Sequence, residues 1–190
     1  MRIVAGRFRG RRLAEPSDQA IRPTSDRVRE AVFNILRHGL PGFEHAGTGA
    51  LGFEAISQGA ADCLFVEEAA EARGLIRETI EALGLTGQTR IFRRDATALG
   101  PAGRLGPFTL VFADPPYGRG LGERALAAAI EGGWLAEGAV VVLEERADAL
   151  EPAVRGLVEL DRRIYGDTKV RFFRSGVSGT TGEGSADATA

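Results

Sequence analysis

The chain has 190 residues, of which 44% are hydrophobic and 26% charged, with a net charge of −2. That balance describes one globular domain able to bury a full core. A single cysteine, Cys63, and two histidines, His38 and His45, exclude a disulfide framework and argue against a thiolate or histidine metal centre.

The longest strongly apolar run, Val140 to Leu143, is far too short to span a membrane. The opening Met1-Arg2-Ile3-Val4-Ala5-Gly6 is too short and polar for a signal peptide, so the expected compartment is the cytoplasm. Charge is unevenly spread: residues 1–37 carry a balance of +5 and the remainder −7. Arg2, Arg7, Arg9, Arg11 and Arg12 fall within twelve residues that hold no acid. This is the footprint of a phosphate-binding arm, although a solvated basic hairpin fits the charge equally well.

In chain order, Arg2–Ala5 and Arg11–Ala14 flank a turn rich in Gly6 and Gly10 and predict a hairpin. A helix is expected from about Thr24–Asp26, with Val28, Val32, Ile35 and Leu36 at helical spacing, stopped by Gly39 and Pro41. From residue 46 onward the elements alternate. Leu51–Gln58 reads as a helix, Cys63–Val66 as a buried strand, and Ala72–Leu83 as a helix closed by Gly84. Strands follow at Thr89–Arg93 and Phe108–Ala113, a helix at Ala125–Ile130, and a central strand at Ala139–Leu143. Val158–Ile164 and Lys169–Phe173 predict a final antiparallel pair around Tyr165-Gly166-Asp167. The alternation predicts an α/β fold with a mostly parallel, doubly wound sheet. Residues 175–190, rich in Gly, Ser, Thr and Ala, predict a disordered tail.

Two motifs carry chemistry. Gly47-Thr48-Gly49-Ala50-Leu51-Gly52 matches G-x-G-x-x-G, and Glu67 follows Gly49 by 18 residues, just past a strand. Together they suggest an adenosine-containing cofactor, without separating a nicotinamide dinucleotide from S-adenosylmethionine. Glu67 also reads as a plain solvated strand-end charge. Asp114-Pro115-Pro116-Tyr117 follows the strand Phe108–Ala113, at the carboxyl edge where open α/β sheets bind ligands. Two prolines stiffen the loop, so that a carboxylate and a carbonyl face one small group beside an aromatic ring. The plainer alternative is a proline-stiffened turn.

The tetrad resembles that of methyltransferases which use S-adenosylmethionine to modify amino groups of bases. The likeness extends through Arg2-Ile3-Val4-Ala5-Gly6, Gly10-Arg11, Arg22-Pro23-Thr24, Arg27-Val28-Arg29-Glu30, Phe33-Asn34-Ile35-Leu36, Ala46–Gly52, Phe65-Val66-Glu67, Asp95-Ala96 and Tyr165-Gly166-Asp167-Thr168. Over residues 1 to about 174 the chain resembles the bacterial 16S ribosomal RNA guanine-N2 methyltransferase family. That resemblance implies a Rossmann-like methyltransferase fold with a C-terminal antiparallel strand and an N-terminal basic β-hairpin. It divides the chain into an rRNA-binding arm at 1–23, a methyltransferase domain at 24–174 and a tail. It implies that Ala46, Gly47, Gly49, Glu67, Asp95 and Ala96 hold S-adenosylmethionine, with Glu67 on the ribose and Asp95 on the adenine amino group. Asp114, Pro115 and Tyr117 would handle the target guanine. Arg7, Arg9, Arg11, Arg12, Arg22 and Arg27, with the rest of the Arg22–Arg29 block, would dock 16S rRNA phosphates of the small subunit. No metal is implied. Arg29 equally well forms a helix-surface ion pair with Asp26 or Glu30.

One stretch departs from the family pattern. Where an apolar strand ending in an acid should precede Ala46, the chain reads Gly39-Leu40-Pro41-Gly42-Phe43-Glu44-His45. Proline is poorly tolerated in a central strand, and no strand can be drawn there. Roughly ten residues are absent relative to the pattern. Residues skipped in the sequence as read are favoured over a genuine deletion. The expectation is then a jump in Cα spacing between about Pro41 and Ala46. Two rival functions stay open: an rRNA-binding assembly factor of the same fold without catalysis, and a nucleic-acid adenine-N6 methyltransferase.

Overall fold

The computed structural model describes residues 1–15, 26–39, 49–116, 119–150 and 154–176. The described helices are α1 (Asp26–Gly39), α2 (Gly49–Ser57), α3 (Ala70–Leu83) and α4 (Leu121–Glu131). The strands are β1 (Cys63–Val66), β2 (Thr89–Phe92), β3 (Phe108–Ala113), β4 (Leu135–Arg146), β5 (Leu157–Tyr165) and β6 (Thr168–Ser175). A 3-10 turn at Ala96–Ala98 follows β2.

β1 and β2 pair in parallel, as do β3 and β4, while β6 lies antiparallel between β4 and β5. The predicted C-terminal antiparallel pair is therefore present. Among the described residues the strands form a two-stranded sheet, β1-β2, and a four-stranded sheet, β3-β4-β6-β5. The division falls where the sequence offers no central strand. Residues 40–48, and with them the expected break in Cα spacing, lie outside the described residues.

One core nevertheless joins the two sheets. Cys63 and Phe65 from β1, Leu110 and Phe112 from β3, and Val140 and Val142 from β4 share a buried cluster with Val32, Phe33 and Leu36 of α1 and with Phe53 and Ile56 of α2. Phe33 meets Phe112 at 5.6 Å between ring centroids, and Phe53 meets Phe65 at 4.7 Å. Alternation along β1 sends Leu64 to the other face, where it joins Leu99, Phe108, Ala129 and Trp134. Gly84 ends α3 in the left-handed conformation at φ 68°, its N–H returning to the carbonyls of Ile80 and Glu81.

The N-terminal segment is two antiparallel stretches joined by a bridge between Arg2 and Arg12, and it packs on α2 and α3. Two sequence expectations need correction. Arg29 is fully buried and donates to the Arg2 carbonyl and to Asp26, both at 2.6 Å, so it is a structural tie and not a phosphate ligand. Ser175 is not tail: it ends β6 and its hydroxyl donates to the Ala136 carbonyl and accepts from the Ala139 N–H. Residues 177–190 lie outside the described residues.

Candidate active site

The carboxyl ends of β1, β2 and β3 open onto one cavity of about 310 Å³. Its lining includes Val66 at the end of β1 and Glu67 just past it, Arg94, Asp95 and Ala96 after β2, and Asp114 and Pro115 after β3. Leu121, Gly122 and Leu126 of α4 close one side. The volume lies at the lower end of the range for small-ligand sites. Parallel strands explain the convergence: each chain leaves its strand at the same edge, and its first polar residue lands there.

Glu67 is half-buried, and its Oε1 accepts the Ala69 N–H at 2.7 Å. The buried Arg73 donates to the main-chain carbonyls of Glu67 and Glu68, which steadies the loop. Asp95 is exposed and caps the 3-10 turn, its Oδ1 accepting both the Thr97 N–H and the Thr97 hydroxyl at 2.8 Å. Those bonds, helped by the nearby Arg124 guanidinium, hold its carboxyl below the usual aspartate value. Both bonds fall on one oxygen, so Oδ2 keeps its acceptor capacity. Asp114 is exposed and Pro115 half-buried, at the point where β3 ends.

The glycine fingerprint is described from Gly49, the first residue of α2. Gly52 has a packing role: a Cβ there would stand 2.8 Å from both Cys63 Sγ and the Phe65 ring. Helix and strand meet too closely for any side chain, as the third glycine of this motif requires.

The structure thus brings Glu67, Asp95, Ala96, Asp114 and Pro115 to one cavity. Ala46, Gly47, Tyr117 and Arg22 lie outside the described residues. Arg27 is exposed in the first turn of α1. Arg7, Arg9, Arg11 and Arg12 are exposed but do not line the cavity. The sequence reading missed Arg94, Thr97 and Arg124. Thr97 carried a local signal, an aspartate with a threonine two residues on. Arg124 carried none, because only the packing of α4 on the 3-10 turn brings it near Asp95. Among the described residues no group of acids, histidines and cysteines could hold a metal ion, and no helix is long and apolar enough to cross a membrane.

The family model Conserved hypothetical protein 95 matches residues 1–174. The chain belongs to that family. It is 34% identical over 184 residues to ribosomal RNA small subunit methyltransferase D of Escherichia coli strain K12, covering 94% of this chain and 92% of that protein. The Haemophilus influenzae protein of the same name is 33% identical over 156 residues, covering 78% of this chain and 80% of its own length. Among solved structures, yhhF of Escherichia coli, described as a methyltransferase, superposes with a TM-score of 0.77 at 29% identity, covering 93% of this chain and 98% of its own. The family match spans the basic N-terminal segment as well as the cavity residues.

Proposed function

We propose that this chain transfers a methyl group from S-adenosylmethionine to the exocyclic N2 of a guanine in 16S rRNA of the small ribosomal subunit, in the cytoplasm. The observation that carries the reading is the convergence of Asp114 and Pro115 with Glu67 and Asp95 on one cavity, in a chain related to ribosomal RNA methyltransferases.

The donor set fits the adenosine half of the cofactor. Glu67 keeps acceptor capacity for ribose hydroxyls, and Asp95 Oδ2 has it for the adenine amino group. The close contact at Gly52 packs α2 against β1, the strand that leads into Glu67. When bound, the sulfonium supplies an electrophilic methyl group, and no metal is needed.

The protein's own work is positioning. Guanine N2 is a poor nucleophile because its lone pair is delocalised into the ring. The Asp114 carboxylate and the Pro115 carbonyl accept its two N–H bonds and turn that lone pair out of conjugation. As the nitrogen attacks it gains positive charge, which the Asp114 carboxylate stabilises. The extra proton leaves after attack, with Asp114 as its first acceptor. Tyr117 stacks on the base, which has left its helix or loop to enter the site. Arg7, Arg9, Arg11, Arg12, Arg22 and Arg27 neutralise RNA phosphates.

The test is methyl transfer from labelled cofactor to small subunits lacking the modification, followed by nucleoside analysis. N2-methylguanosine is the expected product. N6-methyladenosine would move the activity to another base. Cofactor and subunit binding without transfer would make the chain a catalytically silent assembly factor.

A further inference from the structure

The N-terminal segment lies at the edge of the fold opposite the cavity. Arg7 donates to the Gln88 side chain, just before β2, and its N–H donates to the Ser57 carbonyl at the end of α2. Arg11 donates to the Ala82 carbonyl near the end of α3. All three anchor points sit where helices finish and strands begin. Gln88 and Asp95 bracket β2, which separates Arg7 from the cavity by about 20 Å at roughly 3.3 Å per extended residue. Along α2, Ser57 stands about 12 Å from Gly49 at roughly 1.5 Å per residue. A nucleotide held at Asp114 is therefore out of reach of these arginines.

The placement is enforced by a buried clamp. Glu54, the one charged residue of α2, is fully buried. Its two oxygens accept the N–H groups of Val4 and Ala5, each at 2.9 Å, and Oε1 also accepts from the Gln58 amide at 2.6 Å. Ser57 adds a second grip: its hydroxyl donates to the Ala5 carbonyl at 2.6 Å and accepts the Phe8 N–H at 3.0 Å. Gly6 follows at φ 78°, and a Cβ there would stand 1.9 Å from the Ser57 carbonyl oxygen. A wholly buried carboxylate is costly unless such bonds satisfy it. These bonds hold a turn whose arginines face outward: Arg7, Arg9 and Arg11 are all exposed, and Arg9 has no ion pair among the described residues. Exposed guanidinium groups on a fixed turn, with only an open, shallow pocket beside Arg7, suit a phosphate backbone better than a small ligand.

We propose that Arg7, Arg9 and Arg11 form a second RNA contact on the edge opposite the catalytic cavity, and that Glu54 is the positioning residue that fixes it there. The inference rests on the rRNA reading above. It assigns the arm to an RNA segment separate from the one carrying the target guanine.

Three measurements on the full chain with undermodified small subunits test it. Replacing Arg7, Arg9 and Arg11 with Ala should raise KM at least tenfold, leave kcat within twofold, and flatten the salt slope of binding by up to about 3 units. Glu54→Ala should reproduce that KM effect and that flatter slope, which mere loss of stability would not do. Combined with the arginine changes, it should add less than twofold, because both act through one contact. Ser57→Ala serves the same comparison if Glu54→Ala does not fold. Arg9→Cys carrying tethered iron should cleave rRNA about 20 Å from the target guanine in the folded subunit; the native Cys63 is buried and takes no label. Cleavage centred on the guanine's own neighbours, a fall in kcat at constant KM, or full additivity would each overturn the inference. Salt-dependent binding with an unchanged slope in the arginine variant would overturn it alone. Loss of all salt-dependent subunit binding by the unaltered chain would overturn the rRNA reading, and this inference with it.

Discussion

Gly52→Ala separates two opposing effects of known size. Inside a helix, Ala is favoured over Gly by about 0.8–1 kcal/mol, so propensity alone predicts a more stable protein. The local packing predicts the reverse. The new Cβ would stand 2.8 Å from Cys63 Sγ and 2.8 Å from the Phe65 ring, about 1 Å inside ordinary contact. Neither neighbour can yield cheaply. Cys63 is a short side chain on β1, and Phe65 is wholly buried with its ring against Phe53. Overpacking of this kind costs about 1–3 kcal/mol. The net expectation is destabilisation of about 0–2 kcal/mol, or a fall in Tm of up to roughly 8 °C at 2–4 °C per kcal/mol for a chain of this size. Because α2 starts at Gly49, within the glycine fingerprint, pushing it off β1 also shifts Gly49. Cofactor affinity should therefore fall by more than the stability change explains. Urea denaturation and calorimetry with S-adenosylmethionine measure both. Adding Cys63→Ala removes one of the two contacts and should recover part of each loss. A Gly52→Ala protein that gains about 1 kcal/mol and binds cofactor normally would refute the packing argument.

Asp114→Ala should lower turnover by about 10²–10³-fold, the size of losing one group aimed at developing charge, with cofactor affinity within a few-fold. Normal single-turnover chemistry would remove Asp114 from the reaction. Thr97→Val deletes the hydroxyl bond to Asp95, so the Asp95 carboxyl should titrate higher than in the unaltered chain, a change visible by NMR. An unmoved titration would mean that the Thr97 N–H alone sets it. Glu159 is pushed upward by burial, but hydrogen bonds from Arg162 and Arg171 more than reverse this, leaving its pKa below the usual glutamate value. With the folded value depressed, its contribution is complete above the unfolded pKa near 4.5 and is lost as pH falls through the folded one. Glu159→Gln should therefore narrow the stability gap between variant and parent in acid, measured as urea midpoints at neutral pH and at about pH 3. A gap that does not change with pH would mean that the ionised form contributes nothing.

What could be read from the sequence follows the range of the interactions. Cys63–Val66 and Phe108–Ala113 were legible as strands because short apolar runs bounded by polar residues have one cheap solution. Glu67 and Asp114 were legible as neighbours in one cavity for a related reason: each is an acid just past a strand end, and parallel strands deliver such residues to one edge, whereas Asp95 was pointed to only by the family resemblance. The start of α4 was not. Helix was expected from Ala125, yet it begins at Leu121, because Gly122 weakens the local signal and the packing against Leu143 and Pro115 that favours it comes from elsewhere in the chain. Arg29 looked like a surface charge because helical position says nothing about a carbonyl 27 residues earlier. The arm shows the same limit with a functional consequence. Its charge and its glycine turn were plain in twelve residues. Its position is decided by Glu54 and Ser57, about 50 residues away, and that decision carries the arginines to the edge opposite the cavity. Charge is compatible with a phosphate ligand or with plain solvent, but the buried carboxylate of Glu54 fixes where on the fold those arginines stand. Under the proposed rRNA reading, binding a large RNA and presenting one base to Asp114 are separate requirements, met by separate parts of the molecule joined through α2.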